Sequence, residues 1–198
     1  MAKVEISIEQ IKKLKELSGA GLTDAKQALV EAEGDFDKAL EAMRKKGLTK
    51  AEKRGDRETR EGLVEAYIHD GRLGAIVEVN CETSFVAKTE EFKTLAHQIA
   101  MQIASMNPLY VSEDDIPEDV RKAKMKELEA NFKGPENMKE KILEGQAKKA
   151  FSDKVLMNQP YILDDTKTVE QFIKEAIAKT GENITVRQFK RIELGVTE

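Results

Sequence analysis

Few residues in this chain could carry covalent or metal chemistry. Cys81 is the only thiol, and His69 and His97 are the only imidazoles. Cys81 with His97 could be drawn as a nucleophile and its base, but no third residue is indicated to orient the imidazole. The same three side chains fall short of the four ligands of a structural zinc site, and one cysteine forms no internal disulfide. There is no Walker-type glycine loop and no calcium-loop spacing of carboxylates, so no cofactor and no catalytic residue is expected. Glu78 and Glu82 read as solvated carboxylates at a strand end. What remains is a stretch that could act by shape, Asn80-Cys81-Glu82-Thr83-Ser84-Phe85-Val86-Ala87. It places a large apolar residue, Phe85, in a short turn, where local packing aims it either into the core or outward at a partner.

The flanking elements hold that turn at both ends. Leu73 to Val79 is rich in strand formers, as is Gly62 to Ile68, and Asp70-Gly71 between them is a hairpin signal. Beyond the turn, Phe92, Leu95, Ala96, Ile99 and Ile103 recur at three and four, which predicts an amphipathic helix from about Lys88 to Met106, ended by Asn107-Pro108. Helices are also expected at about 117–132 and 136–157, separated by Gly134-Pro135. Gln159-Pro160-Tyr161 then forms a turn, and Val169, Phe172, Ile173, Ala176 and Ile177 mark a last helix stopped by Gly181. The tail from Asn183 to Ile192 favours a third strand.

Ahead of the hairpin, Ile8, Ile11, Leu14 and Leu17 step by three along a first helix, with the glycines of Ser18-Gly19-Ala20-Gly21 after its end. Thr23 is expected to cap a second helix bearing Ala25, Ala28, Leu29 and Ala32, and Asp35 a third with Phe36, Leu40 and Met43. From Arg44 to Glu61 eight basic residues stand against four acidic ones without an apolar stripe, which reads as a spacer. The expected division is a three-helix module over 1–48, a basic linker over 49–61, and an α+β core over 62–198 in which a three-stranded antiparallel sheet packs on helices.

Composition narrows the function classes. The chain has 198 residues, net charge −4, and no apolar run near the roughly 20 residues that span a bilayer. The N-terminus has neither a secretory h-region nor the character of a transit peptide, so a cytoplasmic location and no membrane are expected. The acidic balance argues for a protein partner and against direct nucleic-acid binding.

Several phrases share a family pattern. Val77-Glu78-Val79-Asn80-Cys81-Glu82-Thr83-Ser84-Phe85-Val86-Ala87 resembles the signature of elongation factor Ts. Gly19-Ala20-Gly21-Leu22-Thr23-Asp24-Ala25-Lys26, Arg60-Glu61-Gly62, and Gly181-Glu182-Asn183-Ile184 with Phe189 match in the same order. The resemblance covers essentially the whole chain and departs at Ser84, where the family has Asp. It implies a guanine nucleotide exchange factor for the translational GTPase elongation factor Tu, bound in its GDP and nucleotide-free forms. Thr83, Ser84, Phe85 and Val86 would form the turn associated with Mg²⁺ dislocation, with Phe85 as a wedge entering the partner. The N-terminal module would be of the ubiquitin-associated type, docking on the GTPase through Gly21, Leu22 and Thr23, although Leu22 could equally plug its own bundle. The chain reads as a short-form member, for which a non-covalent homodimer is expected, with a pairing edge at Asn183 to Ile192. The rival reading from another class is a non-catalytic adaptor whose first fifty residues bind a ubiquitin-like fold or a ribosomal protein.

Overall fold

A computed structural model describes residues 6–18, 20–132, 135 and 138–196. Their order is α1 (Ile8–Ser18), α2 (Leu22–Glu31), α3 (Phe36–Glu52), β1 (Glu61–His69), β2 (Leu73–Cys81), α4 (Ser84–Ala87), α5 (Glu90–Met106), α6 (Glu118–Ala130), α7 (Lys139–Ser152), β3 (Pro160–Tyr161), β4 (Asp164–Thr168), α8 (Val169–Thr180) and β5 (Ile184–Glu193). The architecture is α+β: three N-terminal helices, then an antiparallel sheet of order β1-β2-β5 with helices. The expected breaker Gly134, the first residue of the helix expected from Glu136, and Gly19 lie outside the described residues.

By contacts the chain forms two compact units. One comprises Met1–Leu63, Val79–Leu95 and Gln171–Thr185; the other comprises Val64–Glu78, Ala96–Glu170 and Val186–Glu198. In the first, the three helices close around Ile11, Leu14, Ala25, Ala28, Leu29, Ala39 and Met43. Ile8 and Leu17 are exposed, although both belong to the expected apolar row. The reason is angular. Four residues spaced by three sweep about 180° of a helix with 3.6 residues per turn, so only the middle pair can face a small core. Thr23 is not the cap expected of it: Gly21 occupies the N-cap position of α2 without a side-chain bond, and Thr23 lies inside the helix. Asp35 does cap α3, its carboxylate accepting Lys38 N–H at 3.1 Å.

The segment expected as a linker over 49–61 also differs. α3 runs on to Glu52, Ala51 is buried, Arg54 Nη1 donates to the Ile177 carbonyl at 3.4 Å, and Lys174 reaches Glu52 at 3.4 Å. Close approach here uses small residues, which leave no hydropathy stripe to read: a Cβ added to Gly47 would stand 3.1 Å from Ala178 Cβ. The contact-defined units thus do not follow the 1–48, 49–61 and 62–198 division.

The second unit contains the hairpin turn. Asp70 and Gly71 both have positive φ, 50° and 66°, and Arg72 N–H returns to His69 O at 2.9 Å, the two-residue geometry whose twist suits a hairpin. α5 ends where expected, with Asn107 at φ 47°. A two-stranded β3–β4 hairpin stands where only a turn was expected, because the five residues Asp164–Thr168 are polar and lack strand periodicity. α7 stops at Ser152, short of 157, so that Val155 can bridge to Tyr110. Two fully buried amides tie this region to α5. Gln102 Nε2 donates to Gln159 Oε1 and Pro160 O, both at 3.1 Å, and Gln102 Oε1 accepts Ile162 N–H at 2.8 Å.

Gly62, in the first unit, explains the Arg60-Glu61-Gly62 phrase. Its φ is +152°, and an added Cβ would lie 2.2 Å from Val79 O and 2.7 Å from Asn80 Cα. β1 therefore lies tight against β2 at Val79 and Asn80, just before the turn after Cys81. Gly62→Ala is expected to destabilise the chain by at least about 2 kcal/mol, since the obstacles are backbone atoms. Gly145→Ala, in α7 with open space around the site, should instead stabilise by roughly 0.5–1 kcal/mol. Urea midpoints of the two variants should move in opposite directions.

Candidate functional site

The turn after β2 is a one-turn helix, α4, with its own cap. Thr83 is extended, with φ −129° and ψ 150°, and its hydroxyl accepts Val86 N–H at 3.4 Å while its carbonyl accepts Ala87 N–H at 3.2 Å. Thr89 then takes over: its hydroxyl donates to Val86 O at 2.8 Å and accepts Phe92 N–H at 3.3 Å. The helix expected from about Lys88 therefore splits into α4 and α5, each started by a threonine. Side-chain oxygens replace the missing partners of the first-turn amides.

Successive residues in so short a helix diverge by about 100°, and the turn sorts them by polarity of surroundings. Val86 and Ala87 point inward and are buried, whereas Ser84 is exposed and Phe85 is 79% exposed. Of the two orientations open to Phe85, the structure takes the outward one. Its neighbours Val86 and Phe92 carry the packing that the aromatic ring does not.

Two carboxylates clamp the turn against the end of α8. Glu182 accepts Thr83 N–H at 3.0 Å and the Thr83 hydroxyl at 2.6 Å, and Glu82 accepts Asn183 N–H at 2.6 Å. Residues 82 and 83 are thus tied reciprocally to residues 183 and 182. Asn183, itself buried, donates its side-chain amide to Gly55 O at 3.2 Å and Arg57 O at 2.8 Å, and Arg57 Nη1 lies 3.4 Å from Glu82. Gly181, at φ +80°, turns the chain out of α8 so that these two residues face the β2 end. Neither Glu182 nor Asn183 was assigned a role from sequence. Their signal was the Gly-Glu-Asn phrase itself, which gives no hint of a partner 99 residues earlier.

Gly21, Leu22 and Thr23 sit on a different element, the start of α2, also in the first unit. Leu22 is 55% exposed, so it does not plug the bundle core. Cys81 and His97 are each engaged with other partners inside their own units. Cys81 is buried and donates its thiol to Thr83 O at 3.2 Å, while His97 Nδ1 is 3.0 Å from Glu65 and its ring is edge-on to Tyr67. Burial, with the Glu182 charge nearby, pushes the Cys81 pKa up to about 11, the opposite of an activated nucleophile. Among the described residues no group of three or more His, Cys, Asp or Glu could hold a metal, and no helix is long and apolar enough to cross a membrane. What the site offers is a rigidly based, outward-facing aromatic ring.

Residues 5–196 match the family model described as "Elongation factor TS". The chain is 52% identical over 194 residues to the elongation factor Ts of Thermotoga sp. (strain RQ2), covering 97% of this chain and 98% of that protein. It is 48% identical to that of Caldanaerobacter subterraneus subsp. tengcongensis, covering 96% and 97%. The elongation factor Ts of Rippkaea orientalis is 52% identical over 197 residues, which cover 96% of this chain but only 79% of that longer protein.

The thiol environment gives a direct check on the site. With its pKa at about 11, Cys81 is neutral throughout the physiological range. Stability drawn from keeping the buried thiol neutral is full below the unfolded thiol's pKa, about 8.5, and falls as pH rises toward the folded value. Alkylation by iodoacetamide at pH 8 should therefore proceed only as fast as the chain opens and should accelerate sharply in denaturant. Fast alkylation of the native chain would contradict the described geometry.

Proposed function

The chain belongs to the elongation factor Ts family of translation elongation factors, and from that membership we propose that it is a guanine nucleotide exchange factor for the GTPase elongation factor Tu, acting in the cytoplasm without catalysing a chemical reaction. The observation that carries the proposal is the exposed Phe85 on a clamped turn. An exchange factor works by differential affinity: it must bind the GTPase better with nucleotide loosened than with nucleotide held, and the antagonism is then reciprocal. Removing a Phe side chain from water is worth about 1.5–3 kcal/mol, or roughly 10- to 160-fold in affinity. If the ring finds its pocket only in the loosened partner, that whole amount appears as weakened nucleotide binding.

Phe85 is the wedge, with Val86 as its inward anchor and Thr83 as the cap that aims it. Mg²⁺ in such partners demands near-octahedral ligands at about 2.0–2.1 Å, so a small displacement of the groups around it by the inserted ring weakens nucleotide binding. Ser84 brings no carboxylate to that contact, which leaves displacement to the apolar ring. Leu22, exposed beside Gly21 and Thr23, serves as the docking contact of the N-terminal bundle. Release of fluorescent GDP from purified elongation factor Tu tests the reading. The chain should accelerate release at substoichiometric concentration, and Phe85→Ala should lower the rate by at least about tenfold with an unchanged melting temperature, since a ring so exposed adds little to stability. Binding without acceleration would favour the adaptor reading.

A homodimer is proposed as the second part of the reading, on a different observation. On β1, alternate residues Val64 and Ile68 stand exposed, Ile68 at 71%, and Ile76 and Ile192 on the other two strands are exposed as well. Such branched apolar residues are unusual on the open face of an antiparallel sheet. Along the edge expected at Asn183 to Ile192, Asn183, Ile184 and Val186 are buried while Arg187, Gln188, Lys190 and Ile192 are exposed. A second copy covering the face would be held without a disulfide and would depend on concentration. Sedimentation at micromolar protein should show a dimer indifferent to reductant and lost in Ile68→Asp. A monomer throughout would remove this part.

A further inference from the structure

We infer that Glu182 is a positioning residue for exchange: its carboxylate holds the Thr83 cap, and the cap fixes the direction in which Phe85 projects. This rests on the proposal that Phe85 acts on the partner. Hydrogen bonding at Thr83 is asymmetric. Thr83 needs its hydroxyl oxygen to accept Val86 N–H and so cap α4, and a hydroxyl can accept there only if its own hydrogen is sent elsewhere. Glu182 Oε1 takes that hydrogen at 2.6 Å, and Glu182 Oε2 takes the Thr83 backbone N–H at 3.0 Å. Two charge-assisted bonds from one carboxylate thus set both the backbone and the side chain of the residue that starts the helix.

The arrangement is more than a surface ion contact. Thr83 is followed by only four helical residues, too few for a helix to persist by itself. Inward anchoring comes from Val86 and Ala87, on the side away from Phe85. The exposed ring has little of its own packing, so its direction is inherited from the backbone, and the backbone from Thr83. Loss of the clamp would leave the fold in place, because Glu82 still binds Asn183 N–H at 2.6 Å. It would widen the range of directions the ring samples, and that freedom would have to be given up when the ring enters the partner. The effect should therefore fall on the maximal exchange rate and hardly on the affinity of the first encounter.

The full chain is suited to a direct test because it has no tryptophan, so Phe85→Trp introduces a single reporter at the turn. In that background Glu182→Gln and Thr83→Val should each lower the fluorescence anisotropy of the reporter at an unchanged melting midpoint. Combining them should add little, since both act through the bond between the Thr83 hydroxyl and Glu182. In chains that keep Phe85, the same substitutions should lower the maximal rate of GDP release about tenfold, with the half-saturating concentration moving less than about twofold. Thr83→Ser, which keeps the hydroxyl, should behave as the parent. Unchanged anisotropy together with an unchanged maximal rate, or fully additive effects of the two substitutions, would overturn the inference. Should Glu182→Gln melt early, Thr83→Val decides the matter alone. If Phe85→Ala itself exchanged at the parent rate, the wedge reading would fail, and the anisotropy would still report whether Glu182 holds the turn.

Discussion

The structure around the candidate site depends on closing a contact between residues 99 apart in the chain. The end of β2 and the end of α8 are joined by a reciprocal pair of carboxylate ties, Glu82 to Asn183 and Glu182 to Thr83. Bringing such distant segments together is entropically unfavourable, and hydrogen bonds accepted by ionised groups are among the few local interactions strong enough to hold them in one register. Other features follow from that junction. Gly181 must take a left-handed turn to present Glu182 and Asn183, Asn183 then fastens the chain at Gly55 and Arg57, and the Gly62 backbone lies against Val79 and Asn80 just upstream.

A turn that exposes a phenylalanine would ordinarily be a poor folding element. Here the aromatic ring is excused from packing because its neighbours do that work. Val86, Ala87 and Phe92 are buried, and two threonines satisfy the amides at the starts of α4 and α5. The division leaves Phe85 free of any structural duty. It also explains why Cys81 is inert. It lies on the inward side of the same junction, where its thiol serves the Thr83 carbonyl and burial keeps it neutral.

Much of the fold was legible because its elements carry strong periodic or turn signals. The Asp70-Gly71 hairpin, the α5 stripe from Phe92 to Ile103, the Asp35 cap and the α8 apolar row all appear where expected. Other readings failed for identifiable reasons. The continuation of α3 rests on Gly47 and Ala51, whose value is smallness and not hydropathy. The β3–β4 hairpin is short and polar, and the Thr23 cap was placed two residues late because Gly21 starts the helix without a side-chain bond. At the site, the phrase Thr83-Ser84-Phe85-Val86 could be located from sequence, but its orientation and its clamp could not. Phe85 faces outward on a turn whose cap, Thr83, is held by Glu182, and that tie is a long-range fact.

The surfaces proposed for partners fall in different units. The Leu22 loop and the Phe85 turn belong to the first, and the exposed sheet face of Ile68, Ile76 and Ile192 belongs to the second. The units are nevertheless not separable pieces of chain. The backbone passes from one to the other at 63/64, 78/79, 95/96, 170/171 and 185/186, so β1, β2, α5, α8 and β5 each contribute residues to both. No single cut isolates either unit, and removing residues 1 to 50 would also strip Gly47 from its place beside Ala178 and leave Ala51 without the rest of α3. A truncated chain that lost exchange would confound docking with folding. The roles of these three surfaces are distinguishable by exposed point changes, because there the affected side chain leaves the shared strands and their hydrogen bonds intact.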